Sequence, residues 1–226
     1  MVSSELSTSL AEQAYLQLRK EILTCTLAPG QVVSERELAR RYEISKTPIR
    51  EALAQTCHEG LMQRLPGRGY IVAPITIKDI RELFDLRLIL EVAATEQAAQ
   101  NPSPEQIIKL KEMAVVSYNL DDPESHTLFL KTNRDFHLAL AEAAGNKRLV
   151  DMLGQLLNEM NRLFYLGLRL RDSSEEMTRE HQEVVAAMEN GDVERARDAI
   201  SRQIINSRDR ILEAIMQGDI QSVQVS

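Results

Sequence analysis

Polar capping residues alternate along the chain with stretches in which apolar residues recur at helical spacing. Five sites have the form of a capping box, in which a Ser or Thr side chain and the residue three positions later bond each other's free backbone amides. They are Ser9-x-x-Glu12, Ser34-x-x-Glu37, Thr76-x-x-Asp79, Ser103-x-x-Gln106 and Ser173-x-x-Glu176. Proline follows Thr47, Ser103 and Asp122. Each of these prolines is predicted to be the first residue of a helix, because the amide hydrogen that proline lacks has no partner within the helix at that position. Gly145-Asn146 and Gly191-Asp192 each indicate a helix end followed by a new cap.

These signals predict nine helices. Three lie early in the chain and six follow, with the bounds 10–24, 35–42, 48–59, 77–100, 104–120, 123–144, 147–170, 174–190 and 193–216. Between the two groups, two short runs, Leu61 to Leu65 and Tyr70 to Ala73, flank a Pro-Gly-Arg-Gly turn, which predicts a β-hairpin. We expect no strand after residue 74 and a frayed end from residue 218.

The two groups predict two domains in a mainly α protein. Three helices and a hairpin, with a short second helix and a tight turn into the third, are typical of a winged helix-turn-helix domain, assigned to residues 1–75. Residues 76–226 are long enough for an all-α helical bundle with its own core.

Composition agrees with this organisation. Of 226 residues, 43% are hydrophobic and 27% charged, as in a globular protein, and the 4% aromatic content without Trp favours helix over a β-sandwich. No segment suits a membrane span or a signal peptide, which predicts a cytoplasmic protein. The two cysteines, Cys25 and Cys57, form neither a disulfide framework nor a metal-binding spacing.

Charge is distributed unevenly. Residues 1–75 carry 9 basic and 8 acidic residues, whereas the remainder carries 18 and 26, and the whole chain has a net charge of −7. Residues 36–68 alone hold seven basic and four acidic residues. A locally basic segment on an acidic protein indicates a surface for an anionic polymer.

The third predicted helix would be the recognition helix, which enters the major groove of DNA by its N-terminus. Its first turns carry Lys46, Thr47, Ile49 and Arg50, which are predicted to reach bases and phosphates. Arg36 opens the preceding helix, on the side that would cross the DNA backbone.

The hairpin tip supplies the remaining predicted contacts. Arg68 lies between Gly67 and Gly69, where a wing reaches the minor groove. The alternative is that all these cations form an ordinary solvated surface. Their order along the motif favours binding of double-stranded DNA.

These stretches resemble the signature of GntR-type bacterial transcription regulators. The resemblance rests on Ser34 to Ala39, Ser45 to Leu53, Glu59 to Leu61 and Gly67 to Tyr70. It implies a homodimer that binds an inverted-repeat operator.

DNA contacts in the GntR-type family fall at positions matched by Arg36, Lys46, Arg50 and the wing glycines. The family has Arg where this chain has Lys46. Because lysine lacks the planar fork that bonds guanine twice, we expect a phosphate contact there.

Four predicted helices of the second domain carry polar groups on faces expected to turn inward. These are Arg87 with Glu91, Asn133 with His137, His181, and Gln203 with Ser207. A single inward histidine is commonly a hydrogen-bonded core residue, and Arg87 could pair with Glu91. Four coincident cases favour a cavity between the helices, because buried polar groups need partners.

The second domain resembles the FadR-type C-terminal (FCD) domain. The residues that carry the resemblance are Asp79 to Ile89, Asn133 to Leu140 with Gly145-Asn146, and Glu180-His181 to Asp192, and six helices suggest the VanR-like subgroup.

Many members hold a divalent metal with one Asp and three His, which correspond here to Asn133, His137, His181 and Gln203. Since amide oxygens are poor ligands for Zn²⁺ or Ni²⁺, we expect the metal site to be weak or lost. The alternative is that His137 and His181 still recruit a metal. His126, at a helix start, is expected to be exposed.

The sequence therefore predicts a ligand-responsive DNA-binding regulator, a repressor of a metabolic operon. The effector would be a small organic acid held by Arg87, Asn133, His137, His181 and Gln203, because a guanidinium matches a carboxylate in two parallel bonds. A helical-bundle metalloenzyme would need Glu-x-x-His pairs, which are absent from the sequence. An architectural DNA-binding protein would not need the acidic helical domain.

Overall fold

The computed structural model describes residues 9–115, 117–118, 122–170, 172–217 and 223–224. Contacts divide the chain between Thr76 and Ile77 into two units, and the strand at residues 223–224 belongs to the first. Among the residues described, every helix is too short or too polar to cross a lipid bilayer.

The described residues of the first unit form three helices and five short strands. Its elements are α1 Leu10–Leu23, β1 Val32–Val33, α2 Glu35–Arg41, α3 Lys46–His58, β2 Met62–Leu65, β3 Gly69–Val72, β4 Ile75–Thr76 and β5 Val223–Gln224. The antiparallel sheet has the order β1-β3-β2, and β4 pairs with β5 in parallel. The helices and the hairpin share one core around Leu18, Leu38, Ile49, Leu53 and Val72. This is the predicted winged helix-turn-helix.

The hairpin turn explains why glycine is needed at the wing. The Arg68 amide donates to the Leu65 carbonyl at 3.0 Å, and Gly67 has φ +74°, as the third residue of a type II turn requires. Gly69 has φ +106°, and a Cβ there would lie 2.5 Å from the Val33 carbonyl oxygen of β1. Gly69 therefore allows β1 to approach the hairpin.

In the second unit, the residues that the structure describes form six helices. They are α4 Ile77–Gln100, α5 Pro104–Ala114, α6 Pro123–Ala143, α7 Lys147–Leu170, α8 Ser174–Glu189 and α9 Val193–Gln217. α4 packs against α6, α7, α8 and α9, and α8 packs against both α5 and α9. Phe84, Phe136, Leu140, Val184 and Ile200 are almost fully buried between them.

The predicted caps account for most helix starts. Ser9 and Ser34 accept the amides of the residues three positions on, at 3.1 Å each, and Ser103 with Gln106 forms a complete capping box. Asn146 and Asp192 cap α7 and α9 after Gly145 and Gly191, both at positive φ.

One predicted helix start and one predicted capping box are wrong, whereas α8 begins at Ser174 as predicted. Ser45 takes the N-cap of α3, so Pro48 is the third helical residue, a position whose amide also lacks an intrahelical partner. Ser173 makes no capping bond with its side chain; the carboxylate of Asp172 instead accepts the amide of Ser174 at 2.9 Å.

Other predicted bounds also differ. α5 ends at Ala114, since Val115 is extended, and residues 116, 119 and 120 of the predicted helix lie outside the described residues. The expectation of no strand after residue 74 is wrong, because β4 and β5 both lie beyond it. The sequence did not indicate them, since a strand of two residues is too short to show an alternating pattern. The rest of the predicted frayed end, 218–222 and 225–226, lies outside the described residues.

The wing glycines give a first prediction. Gly67→Ala should destabilise the protein by about 1 kcal/mol because alanine disfavours positive φ. Gly69→Ala should cost at least about twice that, since its Cβ would also collide with the backbone of β1. Urea unfolding of the full chain measures both. Equal costs would contradict the close approach of β1.

Candidate functional site

The first candidate surface is the helix-turn-helix face with its wing. The side chains of Arg36, Lys46, Thr47, Arg50 and Arg68 are all exposed there. Ser45 makes no capping bond with its side chain, so the first amides of α3 are open to an anion.

Ile49 corrects one detail of the predicted DNA contacts. Its side chain is only 1% exposed and packs in the core of the first unit, so it does not reach outward from α3. The prediction that Ile49 contacts DNA is wrong, because three of the four side chains in this turn lie on the outer face and the fourth faces the core.

Arg50 is oriented by a residue that the sequence analysis missed. Its Nε donates to Glu35 Oε2 at 2.7 Å, and the Tyr70 hydroxyl donates to the other Glu35 oxygen at 3.5 Å. The Arg50 side chain is still 63% exposed. An exposed pair of this kind stabilises the fold little, so a phosphate or a base can replace Glu35 as the partner of Arg50.

The second candidate site lies inside the six-helix unit, where the predicted inward polar residues meet. Arg87, Glu91, His137 and His181 are fully buried, and Asn133 and Gln203 nearly so. They come from four different helices: α4, α6, α8 and α9.

Three of these side chains form a closed hydrogen-bonded network. Arg87 Nε donates to Glu91 Oε1 at 2.5 Å. His137 contacts Glu91 Oε2 through Nδ1 at 2.6 Å and Arg87 Nη2 through Nε2 at 2.8 Å. Because a guanidinium only donates and a carboxylate only accepts, the neutral ring of His137 carries its hydrogen on Nδ1. Arg87 pairs with Glu91 as the sequence allowed, and also holds His137.

Burial and charge set the protonation of the site. Although burial favours the neutral acid, Arg87 and His137 lower the pKa of Glu91 to about 2. Burial lowers the pKa of His137. Burial, with His137 and Arg87, lowers the pKa of His181 well below its usual range. The smaller opposing effects of Glu91 and of the Ala114 carbonyl, which is not placed for a hydrogen bond of normal geometry, do not offset this. Both imidazoles are therefore neutral at neutral pH.

The other polar atoms at this position lack partners among the described residues. They are Arg87 Nη1, Asn133 Oδ1, both ring nitrogens of His181 and both amide atoms of Gln203. The His181 ring is stacked on Phe136, with 4.1 Å between the ring centroids. A buried polar atom without a partner costs roughly 1–3 kcal/mol, so this set needs water or a ligand.

A small cavity adjoins this cluster. It has a volume of about 30 Å³ and is lined by Asn133, Phe164, Ser173, Met177, Ser207 and Arg210, among others. Phe164 also lies against the guanidinium of Arg87, at 5.4 Å from the ring centroid. The volume suits about two water molecules.

An acidic surface groove between α8 and α9 shares Arg210 with this cavity. The two terminal nitrogens of Arg210 each lie 2.8 Å from an oxygen of Glu180, and its side chain is 13% exposed. Sequence reasoning missed Arg210 and Phe164, although Arg210 lies three residues beyond Ser207 on the same helix face.

His126 corrects another prediction. It was expected to be exposed, yet only 2% of it is, and its ring packs against Tyr118 and Tyr165 at centroid distances of 5.3 and 5.8 Å. Its position seven residues before Asn133 places it on the inward face of α6, which the helical spacing could have indicated.

The donor set does not fit a resident metal ion as it is arranged. Both nitrogens of His137 are bonded, and Asn133 and Gln203 offer only amides. No group of three or more His, Cys, Asp or Glu side chains suited to a metal occurs in the described part of the chain.

Comparisons with known proteins assign each of the two units to a known domain family. The family model of bacterial regulatory proteins, gntR family, matches residues 10–72, and that of the FCD domain matches residues 82–206. The HTH-type transcriptional repressor RspR of Escherichia coli strain K12 is 27% identical over 212 residues, which cover 91% of this chain and 89% of RspR.

Two further similarities extend over most of the chain. An uncharacterized HTH-type transcriptional regulator in an unstable DNA locus of Streptomyces ambofaciens is 30% identical over 187 residues, covering 82% of this chain and 78% of that protein. The solved structure of E. coli McbR/YncC has the same fold, with a TM-score of 0.67 at 22% identity, and the match covers 92% of this chain and 99% of that one.

The neutral His181 gives a prediction on pH. An unfolded histidine has a pKa of about 6.5 and binds a proton below it, whereas the folded chain keeps His181 neutral, so stability should fall as pH falls from about 7. The contribution is at most about 1.4 kcal/mol per pH unit.

The measurement is the free energy of urea unfolding between about pH 8 and pH 5.5. His181→Gln should lower the slope against pH, and His58→Gln, at an exposed position, is the matched control. Identical slopes in wild type and His181→Gln would contradict a neutral buried ring.

Proposed function

This chain belongs to the GntR family of bacterial transcription regulators and carries an FCD domain, and we propose that a small organic anion bound in its helical unit controls its affinity for DNA. The chain is a DNA-binding transcription regulator with an effector-binding domain, and not an enzyme. The family supports neither of the alternatives, a helical-bundle metalloenzyme or an architectural protein.

The unpartnered buried atoms on four helices carry the effector proposal. Arg87 Nη1, the Gln203 amide nitrogen and one nitrogen of His181 are donors without an acceptor. Glu91 already neutralises Arg87, but Nη1 stays available, and a carboxylate accepts from a guanidinium and neighbouring N–H groups together. A ligand acceptor here would satisfy atoms that the fold leaves unsatisfied.

The small size of the cavity supports the proposal that effector binding changes the packing of the helices around it. About 30 Å³ is too small for an organic acid, so the proposed effector would need a wider form of this unit. An effector that binds only a wider form shifts the population towards it. Because Arg210 lines both the cavity and the surface groove, separation of Arg210 from Glu180 would provide an entry path for the proposed effector.

For the DNA side we propose a homodimeric repressor on an inverted repeat. Two winged units related by a two-fold axis need two half-sites. Lys46 would contact phosphate, Arg50 would read a base after leaving Glu35, and Arg68 would enter the minor groove from the wing. Arg36, Thr47, Gly67 and Gly69 complete the proposed contact set.

A binding assay tests the proposal. The operator is selected from random duplexes with the full chain, and its affinity is followed by fluorescence anisotropy with carboxylates from acetate to benzoate and succinate. At least one should change the affinity by about 5- to 150-fold, while its neutral amide does not. If the neutral amides changed the operator affinity as much as the carboxylates did, the proposal that the effector is an anion would be wrong.

Substitution of Arg50 and Lys46 separates base reading from phosphate binding. Arg50→Ala should weaken operator binding roughly 30-fold or more in a dimer, because each subunit loses a base contact. Lys46→Ala should weaken all sequences similarly and reduce the salt dependence, by about two counterions per dimer.

The matched control is Arg202→Ala, an exposed arginine on α9, which should leave both quantities unchanged. An unchanged operator affinity in Arg50→Ala would remove Arg50 from the contact set. An unchanged salt slope in Lys46→Ala would remove the phosphate contact.

Arg87 should be needed for the response to the effector and not for DNA binding. Arg87→Gln alone leaves Glu91 buried without its cation, which costs about 3–5 kcal/mol, so Arg87→Gln with Glu91→Gln is the safer variant. The double variant should bind the operator normally and lose the carboxylate response in the same anisotropy assay. A retained response would show that the anion binds elsewhere.

A further inference from the structure

We propose that the guanidinium of Arg87 is the permanent cation of the effector site and occupies the position that a divalent metal ion would take on His137. Arg87 fills this position whatever the effector is. The two imidazoles at the metal positions of the resembling family are therefore held in an arrangement that does not suit a metal.

The contact between His137 and Glu91 identifies the ring nitrogen that faces the site. A metal-bound histidine characteristically donates its other ring N–H to a carboxylate, which fixes the ring. His137 Nδ1 makes this contact, at 2.6 Å from Glu91 Oε2. His137 Nε2 is therefore the nitrogen that would face a metal.

A guanidinium nitrogen already lies on that side of the ring. Arg87 Nη2 is 2.8 Å from His137 Nε2, whereas zinc would bind the same nitrogen at about 2.0–2.1 Å. The nitrogen has one lone pair, which either accepts the hydrogen bond or binds the metal. Arg87 and a metal on His137 therefore exclude each other.

Arg87 is held firmly in this position. Its Nε donates to Glu91 Oε1 at 2.5 Å, and its side chain is 1% exposed. The guanidinium carbon lies 5.4 and 5.9 Å from the ring centroids of Phe164 and Phe84. The arginine side chain keeps its charge at all working pH values. If the guanidinium moved away from Glu91, the Glu91 carboxylate would be left buried and unpaired.

The other side chains at the site do not favour a metal ion over the guanidinium of Arg87. A metal beside Arg87 would place two cations on the single negative charge of Glu91, where burial strengthens their repulsion. Asn133 and Gln203 supply neutral amides, which bind Zn²⁺ and Ni²⁺ poorly. The permanent cation still presents one free donor, Nη1, to a ligand.

The first test measures metal binding directly. Wild-type protein purified without chelator should contain less than about one metal per ten chains by elemental analysis, and ZnCl₂ or NiCl₂ should not raise its melting temperature. Arg87→Met frees His137 Nε2 beside Glu91, so this variant should gain about one Ni²⁺ or Zn²⁺ per chain and lose it again when His137→Ala is added. Arg134→Met, at a partly exposed arginine of α6, is the matched control and should gain none.

Two outcomes would overturn the proposal. One is a stoichiometric metal in wild type that is lost in His137→Ala. The other is an Arg87→Met variant that folds and binds no metal, which would show that Arg87 is not what excludes it.

A second measurement on the wild type does not depend on the folding of Arg87→Met. Long-range ¹H–¹⁵N NMR reports which ring nitrogen of a histidine carries hydrogen, and the chain has only four histidines to assign. His137 should carry hydrogen on Nδ1 and keep an unprotonated Nε2 whose shift is unchanged by one equivalent of ZnCl₂. A metal-induced shift of that Nε2 would overturn the proposal.

Discussion

The buried ion pair between Arg87 and Glu91 constrains the whole helical unit. Neither charge can lose the other without leaving an uncompensated charge in the core, at a cost of about 3–5 kcal/mol. Both members also bond His137, so the pair ties α4 to α6 at one fixed register. The same bonds decide which polar atoms stay without a partner, and those atoms form the proposed effector site.

The two functional surfaces use ion pairs in opposite ways. Arg50 and Glu35 form an exposed pair, worth about 0–1 kcal/mol, so DNA can replace the carboxylate at little cost. Arg87 and Glu91 are buried, so their pair keeps its geometry while a ligand uses the one remaining donor. A readily exchanged pair suits a reversible DNA contact, and a fixed pair suits a binding site that stays in place.

Local signals in the sequence predicted much of the fold. Caps and helix stops predicted nearly every helix, because the bonds that start and end a helix join residues within about four positions. The same local spacing placed Arg87 one turn from Glu91. Contacts between distant segments were not predictable: His137 lies 50 residues from Arg87 along the chain, and Glu35 lies 15 from Arg50. Ile49 differs for a related reason, since only packing shows which way a side chain near this helix start faces, whereas the spacing of His126 from Asn133 already placed His126 on the inward face of α6.

The distribution of the free atoms limits how the helical unit can respond. Arg87, Asn133, His181 and Gln203 lie on four helices, so one ligand that bonds them all changes the packing of all four. A close-packed interior does not stretch gradually; its helices shift as units between discrete arrangements. The cavity of about 30 Å³ holds no organic acid without such a shift. For the proposed effector, ligand entry and helix movement would therefore be one event, which is the coupling that a ligand-controlled regulator needs.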